Sequence, residues 1–240
     1  GETRSKDEEQ EIMRNEVTKL RMACQKPEYT TLHVKRSDKA GNSLFMSQAD
    51  ENARRQCELL VRLIYCEMLG FEVPFGYMAA LNCTQHSRPD VQRAGYLALT
   101  LFLNGEHELT LLATNSLMKS LSSPDVREVC SALTAVCKLV TARTVPVFYD
   151  AVRKLATSHE RSLVRKKAVM ALHAMVLSRP AAEAIAGWES TLRETLCDKD
   201  PCVMSATLAA VYDILAKGVS SPERWADIVQ PLGSILAQII

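Results

Sequence analysis

The stretch Val164-Arg165-Lys166-Lys167-Ala168-Val169-Met170-Ala171-Leu172 decides the fold. Val164, Ala168 and Ala171 step by four and three, and Leu172 and Met175 widen the same stripe. That is the period of one face of an α-helix. The frame recurs three more times. Val91, Val126 and Val203 each precede a smallish residue four places on (Gly95, Cys130, Thr207) and an apolar one at seven (Ala98, Leu133, Ala210). The spacings are 35 (91 to 126), 38 (126 to 164) and 39 (164 to 203). A repeat of that length holds two helices of about fifteen residues and two short turns, the unit of a stacked helix-pair solenoid.

Working outward from this frame, the pattern predicts helices over 5–25, 51–69, 74–86, 89–103, 106–121, 124–141, 144–157, 161–178, 181–197, 201–217 and 222–239. Ser123-Pro124 and Ser221-Pro222 read as helix starts, with a side-chain acceptor at the N-cap and a preset φ at the first helical position. Asp200-Pro201 and Arg179-Pro180 mark two more. Tyr96 to Leu103 is apolar on nearly all sides, as expected of a helix covered by neighbours on most faces. No segment reads as a strand. The fold expected is all-α: one α-solenoid of HEAT/armadillo-like helical hairpins over 1–240, with about eleven helices. Lys26 to Asp50 breaks the pattern with Pro27, Gly41, Asn42 and only eight apolar residues of twenty-five, and reads as a long inserted surface loop.

Composition narrows the function. Lys and Arg number 29 against 28 Asp and Glu, a net charge of +1, so no global field favours nucleic acid as a partner. Nine Gly and nine Pro are few for a sheet-rich fold, while 47% hydrophobic residues suffice for a core. The longest apolar runs are about five residues, far short of the ~20 that a membrane span needs. Gly1 to Glu16 is almost all polar, unlike a signal peptide.

Chemistry finds no carrier. The eight cysteines never stand two residues apart, and Cys57, Cys66, Cys130 and Cys137 fall inside apolar helical patterns, so they read as buried reduced thiols rather than metal ligands. The five histidines are scattered, with no HExxH and no activated Ser or Cys nearby. Asp198-Lys199-Asp200 reads as a helix cap before Pro201, with cation binding as the alternative. Gly70, Gly76 and Gly95 stand alone and mark helix ends or close packing rather than a phosphate loop. No catalytic residue, metal site or cofactor is expected. One stretch is chemically biased: Arg153, Lys154, Arg161, Arg165, Lys166 and Lys167 face only Asp150 and Glu160 between residues 150 and 170. It reads as a solvated helix face, or as a patch for anionic lipid heads or an acidic partner.

Several motifs carry a resemblance. Leu60-Val61-Arg62-Leu63-Ile64-Tyr65-Cys66-Glu67-Met68-Leu69-Gly70, Phe75-Gly76-Tyr77-Met78, Gly95-Tyr96-Leu97-Ala98, Thr114-Asn115-Ser116 and Val164-Arg165-Lys166-Lys167-Ala168 resemble the large adaptins, the α-solenoid trunk chains of vesicle adaptor complexes. His107-Glu108-Leu109, Glu128-Val129-Cys130 and Leu196-Cys197-Asp198-Lys199-Asp200 are most similar to the epsilon chains of the fourth such complex.

That resemblance implies a noncatalytic scaffold in intracellular transport. Its partners would be the small, medium and second large adaptin chains of a heterotetramer, and an Arf-class GTPase in its GTP form. Its place would be cytoplasmic, peripheral on trans-Golgi network and vesicle membranes. The residues matching the GTPase contact of relatives are Met78, Leu81 and Leu112; by spacing alone all three could equally be core. The chain departs from the phosphoinositide-binding alpha chains, which carry lysines where this sequence has Gln56, Cys57 and Glu58. Without the resemblance, the pattern would equally suit another helical-repeat scaffold, such as an importin-like cargo receptor.

Overall fold

The computed structural model describes residues 5–26, 48–103, 107–178 and 186–239. Among them are eleven α-helices and no strand: α1 (Lys6–Cys24), α2 (Gln48–Met68), α3 (Tyr77–Cys83), α4 (Pro89–Phe102), α5 (Glu108–Leu121), α6 (Val126–Leu139), α7 (Val145–Ser158), α8 (Ser162–Leu177), α9 (Trp188–Leu196), α10 (Pro201–Ala216) and α11 (Ala226–Ile239). Most of the expected inserted loop, and the Arg179-Pro180 start, lie outside the described residues.

The chain forms two compact units, 1–139 and 140–240. In the first, α4 packs against α2, α3 and α6, and α5 packs against α6. In the second, α8 packs against α7 and α10, while α9 packs against α10 and α7. Each unit thus has sequential helices paired into hairpins and alternate helices side by side, the helical-repeat arrangement that the period predicts.

The repeat frame forms the core. Val91, Val164, Val203 and all eight residues at the plus-four and plus-seven positions are buried. Val126 is half-buried, because it stands at the very first position of α6. Burying each Val or Leu of this set contributes roughly 1.5–3 kcal/mol relative to leaving it exposed. Gly95 has a specific role: a Cβ there would sit 2.8 Å from the backbone nitrogen of Thr84 and 2.9 Å from the carbonyl carbon of Cys83. Only glycine lets α4 lie directly on the backbone at the end of α3.

Two helix starts differ from the sequence reading. Ser123 does not cap α6. Its hydroxyl is drawn to Glu128 Oε2 at 2.5 Å, and the helix begins at Val126, where Asp125 Oδ1 accepts the Arg127 N–H at 2.8 Å. Ser221-Pro222 opens a short 3-10 turn, Pro222–Trp225, before α11. Asp200 does cap α10, accepting the Cys202 N–H at 2.8 Å with Pro201 at the first helical position. The expectation that Tyr96–Leu103 is covered on most faces fails along one side. Tyr96, Ala98, Leu99, Phe102 and Leu103 are buried, but Leu97 and Leu101 are exposed, since the helices against α4 leave that side open.

Candidate functional site

Phe75 and Tyr77 position the first candidate surface, in unit 1. Pro74–Gly76 forms a 3-10 turn leading into α3, and Gly76 lies against Leu63, where a Cβ would meet Leu63 Cδ1 at 2.9 Å. The Arg21 guanidinium lies 5.2 Å from the centre of the Phe75 ring. Tyr77 stacks on Phe102 at 5.4 Å and meets His107 edge-on at 5.6 Å. His107 in turn caps α5, its Nδ1 accepting the Leu109 N–H at 3.1 Å. These ring contacts hold the starts of α3 and α5 beside each other.

On that scaffold Met78 and Leu112 are 49% and 53% exposed, and Leu111, which the sequence reading passed over, is 55% exposed. Leu81 is different. It is 5% exposed and belongs to the core, because α3 has only seven residues and the close approach at Gly95 covers its C-terminal half. The expectation that Leu81 joins Met78 and Leu112 in a contact surface is therefore corrected: Met78 and Leu81, three residues apart on α3, are divided between solvent and core. Exposed large apolar side chains are the raw material of contact surfaces, and methionine adapts its shape to a partner.

The basic stretch divides as well. Arg165 is buried and cannot belong to a surface patch. Its Nε and Nη2 donate to the two Asp198 oxygens at 2.6 and 2.8 Å, and its Nη1 donates to the carbonyls of His159 and Glu160 at 2.8 and 3.0 Å. The guanidinium holds the Asp198 carboxyl below the usual range, helped by the Asp200 N–H. Asp198 and Asp200 are thus an ion-pair partner and a helix cap. Among the described residues no group of three or more His, Cys, Asp or Glu side chains is placed to hold a metal ion. Arg153 and Lys154 are exposed on α7 and Arg161 just before α8, while Lys166 and Lys167 are half-exposed on α8.

The cysteines divide: Cys57 and Cys137, expected to be buried, are half-buried at the margins of their helices' packed sides, and Cys197 and Cys202, at a helix end and a helix start, are exposed. Cys24, Cys66, Cys83 and Cys130 are buried, and burial pushes the Cys24 thiol up to about 11 and the Cys83 thiol to about 12, far from a reactive thiolate. No helix among the described residues is long and apolar enough to cross a membrane.

With this geometry in place, similarity to known proteins identifies the family. A family model, the adaptin N-terminal region, matches residues 34–240. The chain is 40% identical over 220 residues to the AP-4 complex subunit epsilon of Dictyostelium discoideum, covering 90% of this chain and 18% of that one. It is 36% identical to the Arabidopsis thaliana counterpart, covering 100% of this chain and 22% of that one. The human AP-4 complex subunit epsilon-1 is 32% identical over 98% of this chain and 18% of its own length. Among structures, a homology model of the full-length AP-3 complex in an intermediate open conformation matches with a TM-score of 0.66 at 26% identity, covering 77% of this chain and 32% of that one. The chain spans about a fifth of the length of these curated relatives. These matches and the helical-repeat architecture agree, and the chain belongs to the adaptin family, whose N-terminal region it carries.

Proposed function

We propose that this chain is the front of the trunk of a large subunit in a heterotetrameric vesicle-coat adaptor, a noncatalytic scaffold that sorts cargo at the trans-Golgi network. The observation that carries the reading is the family match over 34–240, together with relatives named as AP-4 epsilon subunits at 32–40% identity. In this reading residues 1–240 belong to one trunk, and the small, medium and second large adaptin chains complete the complex. An Arf-class GTPase in its GTP form recruits it through Met78 and Leu112, joined by Leu111; their exposure supports this role, and the burial of Leu81 removes that residue from it. Switch regions ordered by the γ-phosphate would present the complementary surface only in the GTP form. Arg153, Lys154 and Arg161 are the exposed cations that peripheral contact with anionic headgroups would use.

The test is affinity purification of the full-length subunit from cells. Stoichiometric recovery of a small, a medium and a second large adaptin chain is the expected result. Recovery of the subunit without them would overturn the assignment.

A further inference from the structure

We propose that His107 is a positioning residue of the GTPase contact: by meeting Tyr77 edge-on, it fixes where the exposed leucines of α5 stand relative to Met78 of α3. The inference rests on the reading that Met78 and Leu112, joined by Leu111, receive the GTPase. It assigns to a side chain outside that apolar set the task of holding the set together.

The surface is built on the starts of two helices. Met78 is the second residue of α3, which has seven residues, and Leu111 and Leu112 stand in the first two turns of α5, which has fourteen. Side chains that must meet one partner together need their helices held at a fixed separation. Both helices are anchored elsewhere. The C-terminal half of α3 is fixed by the close approach at Gly95. Farther along α5, Tyr96 Oη of α4 lies 3.3 Å from the Ser116 carbonyl oxygen and 2.8 Å from Ser120 Oγ, one and two turns beyond Leu112.

His107 joins the starts. It is the N-cap of α5, with an extended backbone (φ −69°, ψ 139°) that places its ring just ahead of the helix. The ring has two roles at once. Its Nδ1 accepts the Leu109 N–H at 3.1 Å, one of the donors that the first turn of a helix leaves without an intrahelical acceptor. The same ring meets Tyr77 at 5.6 Å and 78°, the edge-to-face geometry that aromatic pairs favour. Tyr77 is the first residue of α3, next to Met78, and it also stacks on Phe102 at the end of α4, at 5.4 Å and 22°. The three rings thus tie together the start of α5, the start of α3 and the end of α4. Met78 is one residue from this joint and Leu111 one turn from it. Serine or asparagine would serve the cap alone. The contact with Tyr77 needs a ring, and that accounts for a histidine here.

Substitution separates the two roles, with binding of a GTP-loaded Arf-class GTPase to the whole chain and the melting temperature read side by side. His107→Ser keeps a cap acceptor and removes the ring. It should hold the melting temperature within about 2 °C and weaken binding about fivefold, the share of assembled surface that one aromatic pair controls. His107→Phe keeps a ring on Tyr77 and removes the acceptor. It should melt about 2–4 °C lower yet bind within about twofold of the natural chain. Affinity and stability then rank the two variants in opposite order, which a purely structural residue does not do. In the Tyr77→Leu background, His107→Ser should cost no further affinity, because the ring acts through its partner. The positioning role is overturned if the natural chain binds and His107→Ser binds as tightly, if affinity simply follows melting temperature, or if the His107→Ser loss persists in full beside Tyr77→Leu. A natural chain that does not bind the GTP form overturns the recruitment reading itself, and this inference with it.

Discussion

Gln92 and Arg165 occupy the same place in the repeat, one residue after the framing valine, and both are buried. They solve the same problem differently. In the first unit Gln92 Nε2 donates to Glu128 Oε1 at 2.7 Å, and Ser120 and Ser123 donate to the same carboxylate at 3.2 and 2.5 Å. Tyr96 completes the cluster through Ser120 at 2.8 Å, its hydroxyl pushed up to about 12, chiefly by burial, and so kept protonated. In the second unit Arg165 meets Asp198 in a two-pronged ion pair and also satisfies two carbonyls. One joint between neighbouring repeats is a web of neutral donors around a carboxylate; the other is a full charge pair. The position fixes that a polar link is made, and the partner decides its chemistry.

The largest effect should come from breaking the charge pair. Asp198→Ala leaves a buried guanidinium with its carbonyl partners alone and should destabilise the second unit by about 3 kcal/mol, read from the urea midpoint. The same pair contributes to stability loss in acid. Because the folded Asp198 carboxyl titrates lower than in the unfolded chain, its contribution is complete above the ordinary aspartate range, near pH 4, and drains away as pH falls through the lower folded value. A plot of midpoint against pH should therefore fall more steeply at acid pH for the natural chain than for Asp198→Asn.

The neutral web should be more forgiving. Glu128→Ala removes the shared acceptor and should cost about 2 kcal/mol, while Glu128→Gln keeps the shape and should cost less, since the hydroxyls of Ser120 and Ser123 can turn. The smallest effect belongs to the third residue at the same repeat position. Arg127 points into solvent and pairs with Asp125 at 3.0 Å across two residues. Arg127→Ala should leave the unfolding midpoint where it was.

The repeat frame was legible because a core stripe is written as a period: Val164, Ala168 and Ala171 are buried as their spacing demands. The Asp200-Pro201 cap was legible for the same reason, as both signals are local. What escaped the sequence depends on neighbours distant in the chain. Arg165 stands in a basic run and looks solvated until Asp198, 33 residues later, comes against it. Ser123 has the form of a cap, but its hydroxyl accepts the Asp125 N–H, ahead of α6, and donates to Glu128. Leu81 shares helical spacing with Met78, and only the approach of α4 at Gly95 separates their fates. Leu97 and Leu101 read as covered because nothing in a linear pattern says which side of an apolar helix stays open.

The central claim is recruitment through the exposed starts of α3 and α5, and binding to an Arf-class GTPase loaded with GTP or GDP tests it most directly. The chain should bind the GTP form selectively. Because Met78 and Leu112 are about half exposed, Met78→Glu/Leu112→Glu should keep the melting temperature within about 2 °C and weaken that binding by about tenfold or more. A folded double variant that still binds the GTP form as tightly as the natural chain would contradict the account.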